Sequence, residues 1–220
     1  MSDIFQEIDE DIRKERLEKL WKRYGGVAIA IAVLVVVAVA GWRGWEWYSR
    51  QQAEEAGAGY EAALQLARDG KTAEAEAAFR ELSEAAPAGY AVLGRFRAAS
   101  ELAETDKAAA AARFEAIAQD ISVSTGLRDL ARIRAAYLLV DTGSQSDVAS
   151  RVESMAAAGN PWRHSAREIL ALSAWKAGNT EDTRRWAQEI IADPETPAGT
   201  RARGQLLIDL AAGASAPTVP

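Results

Sequence analysis

From Gly25 to Trp42 the chain reads GGVAIAIAVLVVVAVAGW, without a charged or strongly polar side chain. With Tyr24 the run is 19 residues long. As an α-helix it spans roughly 28 Å, close to the bilayer's hydrocarbon core of about 30 Å. On both sides of it the apolar positions become periodic. Ile4, Ile8 and Ile12 recur at a spacing of four, and Leu17, Leu20, Trp21 and Tyr24 at spacings of three and four, both helical patterns. The two stripes lie on roughly opposite faces at about 100° per residue, so one straight helix cannot present both to one surface. Leu17 to Tyr24 is expected to run into the apolar helix. Ile4 to Ile12 forms either a partner-binding stripe or a solvated arm. Downstream, Tyr60, Ala63, Leu64 and Ala67 stand at i, i+3, i+4 and i+7, one face of an amphipathic helix. The pattern predicts an all-α chain: a cytoplasmic amphipathic arm over 1–24, a transmembrane helix with aromatic flanks over 25–48, a helical domain over 49–212 and a disordered tail over 213–220.

Punctuation within the helical domain is regular. Helix-pair turns are expected at Asp69-Gly70, Thr105-Asp106, Thr142-Gly143 and Ala177-Gly178, which are 36, 37 and 35 residues apart. Phe79, Phe114, Val152 and Trp186 keep step at intervals of 35, 38 and 34. Pro87, Pro161 and Pro194 follow where a second helix must end. A period in the thirties marks a helical repeat array, an α-solenoid of about four helix pairs. The pattern is similar to the tetratricopeptide repeat, whose second helix carries Ala, an aromatic four on and Pro eight after that. Ala75, Phe79 and Pro87 match all three; Ala110 and Phe114 match two, with Ser122 in place of Pro. Asp182, Trp186 and Pro194 match the last two. Val148 and Val152 form the poorest copy, with Asn160 and then Pro161 at the end. A helix over about 198–212 caps the stack.

Charge sets the expected orientation. Arg13, Lys14, Arg16, Lys19, Lys22 and Arg23 precede the apolar run, and only Arg43 and Arg50 follow within a similar distance. Lys and Arg are retained on the cytoplasmic side, which places the N-terminus in the cytoplasm and the helical domain outside. Trp21 and Tyr24 at one end, and Trp42, Trp45, Trp47 and Tyr48 at the other, read as interfacial belts. A cleaved signal peptide is the competing reading, because Ala38-Val39-Ala40 fits the cleavage pattern and Val27 to Ala40 is only 14 residues. The long preceding region with its seven acids opposes it.

Overall the chain carries 26 Lys/Arg and 32 Asp/Glu, a net charge of −6. The first 52 residues hold eight of each sign, so the acidic excess lies downstream, 18 against 24. Such a balance argues against nucleic-acid binding. No cysteine is present, which excludes disulfides and thiolate chemistry. Gly70-Lys71-Thr72 lacks the preceding glycine of a phosphate loop, since position 65 is Gln. His164 is the single histidine, with no nucleophile-elbow sequence around it. No catalytic, cofactor or metal site is expected, and no small-molecule substrate; a hydrolase would need turnover that depends on His164. Binding remains. In the repeat register Arg95 and Arg167 occupy equivalent inward-leaning positions, with His164 nearby and Arg132 and Arg134 flanking the third pair. Arginine forks suit carboxylates, so this face is a candidate seat for an acidic or C-terminal segment of a partner. The alternative is a solvated face with local ion pairs such as Arg97 to Glu101.

The arm ending Trp21-Lys22-Arg23-Tyr24-Gly25-Gly26, the span, the segment Gly41-Trp42-Arg43-Gly44-Trp45 and the alanine-rich repeats, with Gly89-Tyr90-Ala91 and Lys176-Ala177-Gly178-Asn179, together resemble the single-pass tetratricopeptide-like ancillary subunit of the bacterial Sec translocon. The resemblance covers about residues 10–212. It implies a bacterial inner-membrane protein with a periplasmic domain. Such a protein works beside the Sec translocon and a membrane-anchored periplasmic chaperone or prolyl isomerase. An organiser of cell division or envelope assembly would have the same architecture.

Overall fold

The computed structural model describes the backbone over residues 3–214, and side chains over residues 18–213 except at positions 19 and 28. Among the described residues there are nine α-helices, one 3₁₀ turn and no strand. They are α1 (Asp3–Arg68), α2 (Thr72–Ala85), α3 (Ala88–Leu102), α4 (Lys107–Gln119), α5 (Thr125–Thr142), α6 (Gln145–Val152), the 3₁₀ turn Glu153–Ala156, α7 (Arg163–Lys176), α8 (Thr180–Ala192) and α9 (Ala198–Ala214). The chain divides into two compact units, Met1–Glu54 and Glu55–Pro220. The Ile4, Ile8 and Ile12 side chains and the tail beyond residue 214 lie outside the described residues.

In the first unit, α1 holds one stretch long and apolar enough to cross a membrane. Its Val, Ile and Leu side chains from Val27 to Val39 are exposed throughout, as are Trp21, Tyr24, Trp42, Trp45, Trp47 and Tyr48. Gly25 lies under the Trp21 ring, and the Arg23 guanidinium sits 5.6 Å over the ring of Tyr24.

The second unit is a stack of four helix pairs: α1 from residue 55 with α2, α3 with α4, α5 with α6, and α7 with α8. Helix α9 closes the stack against α8 and α7. Each pair turns where the sequence marks it. After α1, Gly70 takes φ +74°, its N–H donates to the Ala67 carbonyl and the Lys71 N–H donates to Leu66. After α7, Gly178 takes φ +75° and the same two bonds reappear, from Gly178 to Trp175 and from Asn179 to Ala174. This double bond closes a helix on a left-handed residue, which glycine adopts without strain. The following helices start on side-chain caps. Asp106 accepts from the Ala109 N–H, Asn179 accepts from the Asp182 N–H, and Ser144 with Asp147 forms a reciprocal capping box. In the third pair, α6 is only two turns long and tightens into 3₁₀ at Glu153, matching its weak copy of the repeat.

The four marked plugs are all buried, Phe79 at 0%, Phe114 at 2%, Val152 at 0% and Trp186 at 7% exposure. Phe79 packs with Ala63, Ala75 and Ala98, and Phe114 with Ala99, Ala131 and Ala135. Val152 and Trp186 share the largest cluster, with Ile133, Ala166, Ile169 and Leu170. Tyr60 meets Phe79 edge-on at 5.4 Å, and Phe96 meets Phe114 at 5.8 Å. The helices approach closely because small residues face one another. At Gly94 an added Cβ would fall 2.8 Å from the Phe79 carbonyl oxygen and 3.1 Å from the Ser83 nitrogen, both backbone atoms that cannot rotate away.

Gly94→Ala is therefore expected to lower stability by about 1–3 kcal/mol through overpacking of α2 against α3. Gly126→Ala, where a Cβ meets nothing within 4 Å, is expected to leave stability unchanged or slightly raised. Denaturant unfolding followed by helical circular dichroism distinguishes the two.

Candidate functional site

The first helices of the pairs line up as neighbours: α5 packs on α7, α7 packs on α9, and α3 and α5 share a side-chain cluster. A polar chain binds three of them. Glu168 on α7 is buried and takes both Arg203 from α9, through its Nε and Nη2, and the Tyr137 hydroxyl of α5 at 3.3 Å. Burial first, and then the Glu168 carboxylate, push the Tyr137 phenol up to about 12.

Arg95 and Arg167 perform the same task in two pairs. Arg95 on α3 donates at 2.6 Å to Asp120, the residue that closes α4. Asp120 also accepts from the Ser122 N–H at 3.0 Å and the Ser122 hydroxyl at 2.6 Å. Arg167 on α7 donates at 3.1 Å to Asp193, the residue that closes α8, and Asp193 accepts from the Glu195 N–H at 3.0 Å. Arg167 is buried, and its remaining donors reach the carbonyls of Ala156 and Glu189 and the Glu189 carboxylate. Arg163 adds a second cation to Asp193 at 2.7 Å and also pairs with Glu195. Each latch thus ties a first helix to the far end of its own second helix. The Ser122 hydrogen bonds and then Arg95 hold the Asp120 carboxyl down at about 2; Arg163 holds Asp193 well below the carboxylate range.

His164 joins the second latch. Its Nδ1 lies 3.0 Å from the Thr196 hydroxyl and 3.8 Å from Asp193. Hydroxyl and carboxylate meet the same ring nitrogen, so the group does not form a hydroxyl–imidazole–carboxylate relay, which uses both nitrogens. Arg132 pairs locally with Asp129 at 2.6 Å. Arg134 is exposed and has no hydrogen bond or ion pair among the described residues. It borders a groove of about 430 Å³ between α3 and α5, with Ser100, Glu104 and Tyr137 on the rim and Phe114 and Ile133 beneath. Of the five predicted residues, the structure gathers His164 and Arg167 around Asp193. It places Arg95 on another latch, and Arg132 and Arg134 on α5. Gly70-Lys71-Thr72 is the turn between α1 and α2 and the start of α2.

Two residues went unremarked as site candidates in the sequence. Glu168 is the first, and no motif marks it. Arg97 reads as the partner of Glu101, but no such bond forms. Its guanidinium instead lies 5.9 Å over the Phe79 ring, and its buried Nε has no hydrogen-bond partner. The available signal is its interval of 37 residues to Arg134, one repeat length. No group of three His, Cys, Asp or Glu suited to a metal ion occurs among the described residues.

Comparison with known proteins gives one family. Residues 18–169 match the family described as a tetratricopeptide repeat-like domain. No curated protein and no solved structure matches the chain.

The ionised form of Asp120 is favoured by folding, so its contribution is present above the unfolded value near 4 and is lost as pH falls from about 4 towards 2. Melting temperature followed across this window is expected to fall less steeply in Asp120→Asn than in the unaltered protein, because the variant has no proton to take up at this site.

Proposed function

The chain belongs to the tetratricopeptide repeat-like domain family, and on that premise we propose that it is a membrane-tethered scaffold that holds protein partners on its helical stack. The observation that carries the tether is the unbroken exposure of apolar side chains from Val27 to Val39 between two groups of exposed aromatic residues. Water disfavours such a surface by roughly 25 cal/mol per Å², whereas lipid accommodates it. The family match supports the reading too, since it takes in this segment together with the first three helix pairs. Lys and Arg before the segment favour a cytoplasmic N-terminus and an exported stack.

Repeat stacks bind through extended surfaces and need no reacting group. Tethering confines the stack to a thin layer beside the bilayer and raises its effective concentration for membrane partners, so that modest contacts suffice. In a bacterial inner membrane, the job this serves is assistance to exported proteins at the Sec translocon, with a membrane-anchored periplasmic chaperone or prolyl isomerase alongside. The resemblance of Gly41 to Trp45 and the preceding span to a translocon ancillary subunit supports that assignment.

The protein is expected to stay with vesicles through an alkaline wash, and its bulk to be degraded by protease added to spheroplasts. Release by the wash would remove the tether, and protection from protease would reverse the orientation. Cross-linking in intact membranes then identifies the neighbours. Translocon subunits support the export role, and division or peptidoglycan proteins replace it with that of an envelope organiser.

A further inference from the structure

The two edges of the stack differ in polarity. All three lysines of residues 55–214, Lys71, Lys107 and Lys176, stand at the edge formed by the turns within pairs. The four prolines of the same stretch, Pro87, Pro161, Pro194 and Pro197, all lie at the opposite edge, in the connections between pairs and before α9. The connection from α4 to α5 adds Ile121, at 90% exposure the most exposed large apolar side chain among the described residues. This is also the edge at which the chain enters the stack, since a Cβ on Gly57 would meet the hydroxyl of Tyr90, at the start of α3, at 3.0 Å. From this asymmetry we propose that the edge between pairs rests on the lipid surface, with Ile121 entering the headgroup layer. The proposal rests on the reading of the apolar run as a membrane tether and names a second contact with the same bilayer.

A lone exposed isoleucine needs no explanation, but this one is held out by its turn. The Asp120 carboxylate accepts from the Ser122 N–H at 3.0 Å, from the Ser122 hydroxyl at 2.6 Å and from Arg95 at 2.6 Å. The Val123 N–H donates to the Asp120 carbonyl at 3.1 Å, and Val123 itself is buried. Val123 is thus drawn inward while Ile121 stands at the apex. A segment fixed in this way gives up little freedom on meeting a bilayer. The rest of the edge is built of short side chains. Ala157, Ala158 and Pro161 are exposed before α7, and Pro194 and Pro197 before α9.

Chain length keeps the edge within reach of lipid. Tyr48, in the aromatic group after the apolar run, and Glu55 are seven positions apart, which is at most about 25 Å of chain. Tethering makes the contact intramolecular, so one too weak to recruit a free protein suffices. Charge then selects the kind of surface. Asp120 and Asp193 are neutralised by Arg95, Arg163 and Arg167. Glu84 and Glu153 stay exposed and oppose anionic headgroups. The contact is therefore apolar, and a zwitterionic bilayer supports it. The lysine edge stays in water, because an ammonium group is strongly hydrated.

The test uses the full chain reconstituted in phosphatidylcholine vesicles. The unaltered protein has no cysteine, so Ile121→Cys, Ala158→Cys and Ala177→Cys each carry a single nitrobenzoxadiazole label. Ala177 is exposed beside Lys176 at the turn edge. Lipid bearing a nitroxide at headgroup depth is expected to lower emission about twofold or more at positions 121 and 158, as for an interfacial contact, and to leave position 177 unchanged. Ile121→Ser in the Ala158→Cys protein is expected to abolish the quenching at 158; it alters an exposed side chain, and circular dichroism confirms folding. No quenching at 121, equal quenching at all three positions, or quenching at 158 that survives Ile121→Ser overturns the proposal. Shielding of 121 from both the nitroxide and aqueous iodide also overturns it, because a second copy then covers the residue. If the protein stays with the vesicles through an alkaline wash while the label at 121 remains in water, the tether stands and only this contact is lost. Release by the wash removes the tether itself.

Discussion

An alanine-rich helix has little apolar surface to bury, so a stack of such helices holds together only where a larger side chain fills the space between layers. Phe79, Phe114, Val152 and Trp186 meet that requirement, one to each second helix. The alanines around them let the backbones close to contact, and the plug supplies the dispersion and transfer terms that alanine lacks. Gly94 marks the limit of that approach, with the backbone of α2 where a Cβ would stand. Everything polar in the second unit is arranged around this packing.

The two edges of the stack are tied in different ways. At the turn edge, Asp141 takes the Lys107 ammonium on its carboxylate and the Lys176 ammonium on its carbonyl, and Gln145 donates to Asp182. At the opposite edge, arginines from the first helices reach the aspartates that close the second helices, at Asp120 and Asp193. Ion pairs on a surface contribute little individually. Here each links elements far apart in the sequence. The same latches decide which cations are left over. Arg95 and Arg167 are paired with aspartates within the fold, whereas Arg97 and Arg134 have no such partner among the described residues.

The two units answer to different surroundings. From Val27 to Val39 the Val, Ile and Leu side chains of α1 are all exposed, whereas in the stack most large apolar side chains are buried or half-buried. One chain therefore carries both arrangements of the same residue types. That contrast supports the proposal of a tether joined to a scaffold.

The apolar run, the repeat interval, the four turns, the plug positions and the capping helix are legible in the sequence. Each is a local or periodic property: a helix-closing glycine, a breaker, a spacing of three and four, a large residue at a constant offset. The buried Glu168, the shared Asp193 and the separation of Arg97 from its expected partner Glu101 are not legible in this way. Whether an arginine is open or occupied depends on an aspartate 25 or 26 positions further on and on the angle at which two helices meet. Charge pairing is short-ranged in space but indifferent to sequence distance, so only the packed tertiary structure determines which cations are bound and which remain free.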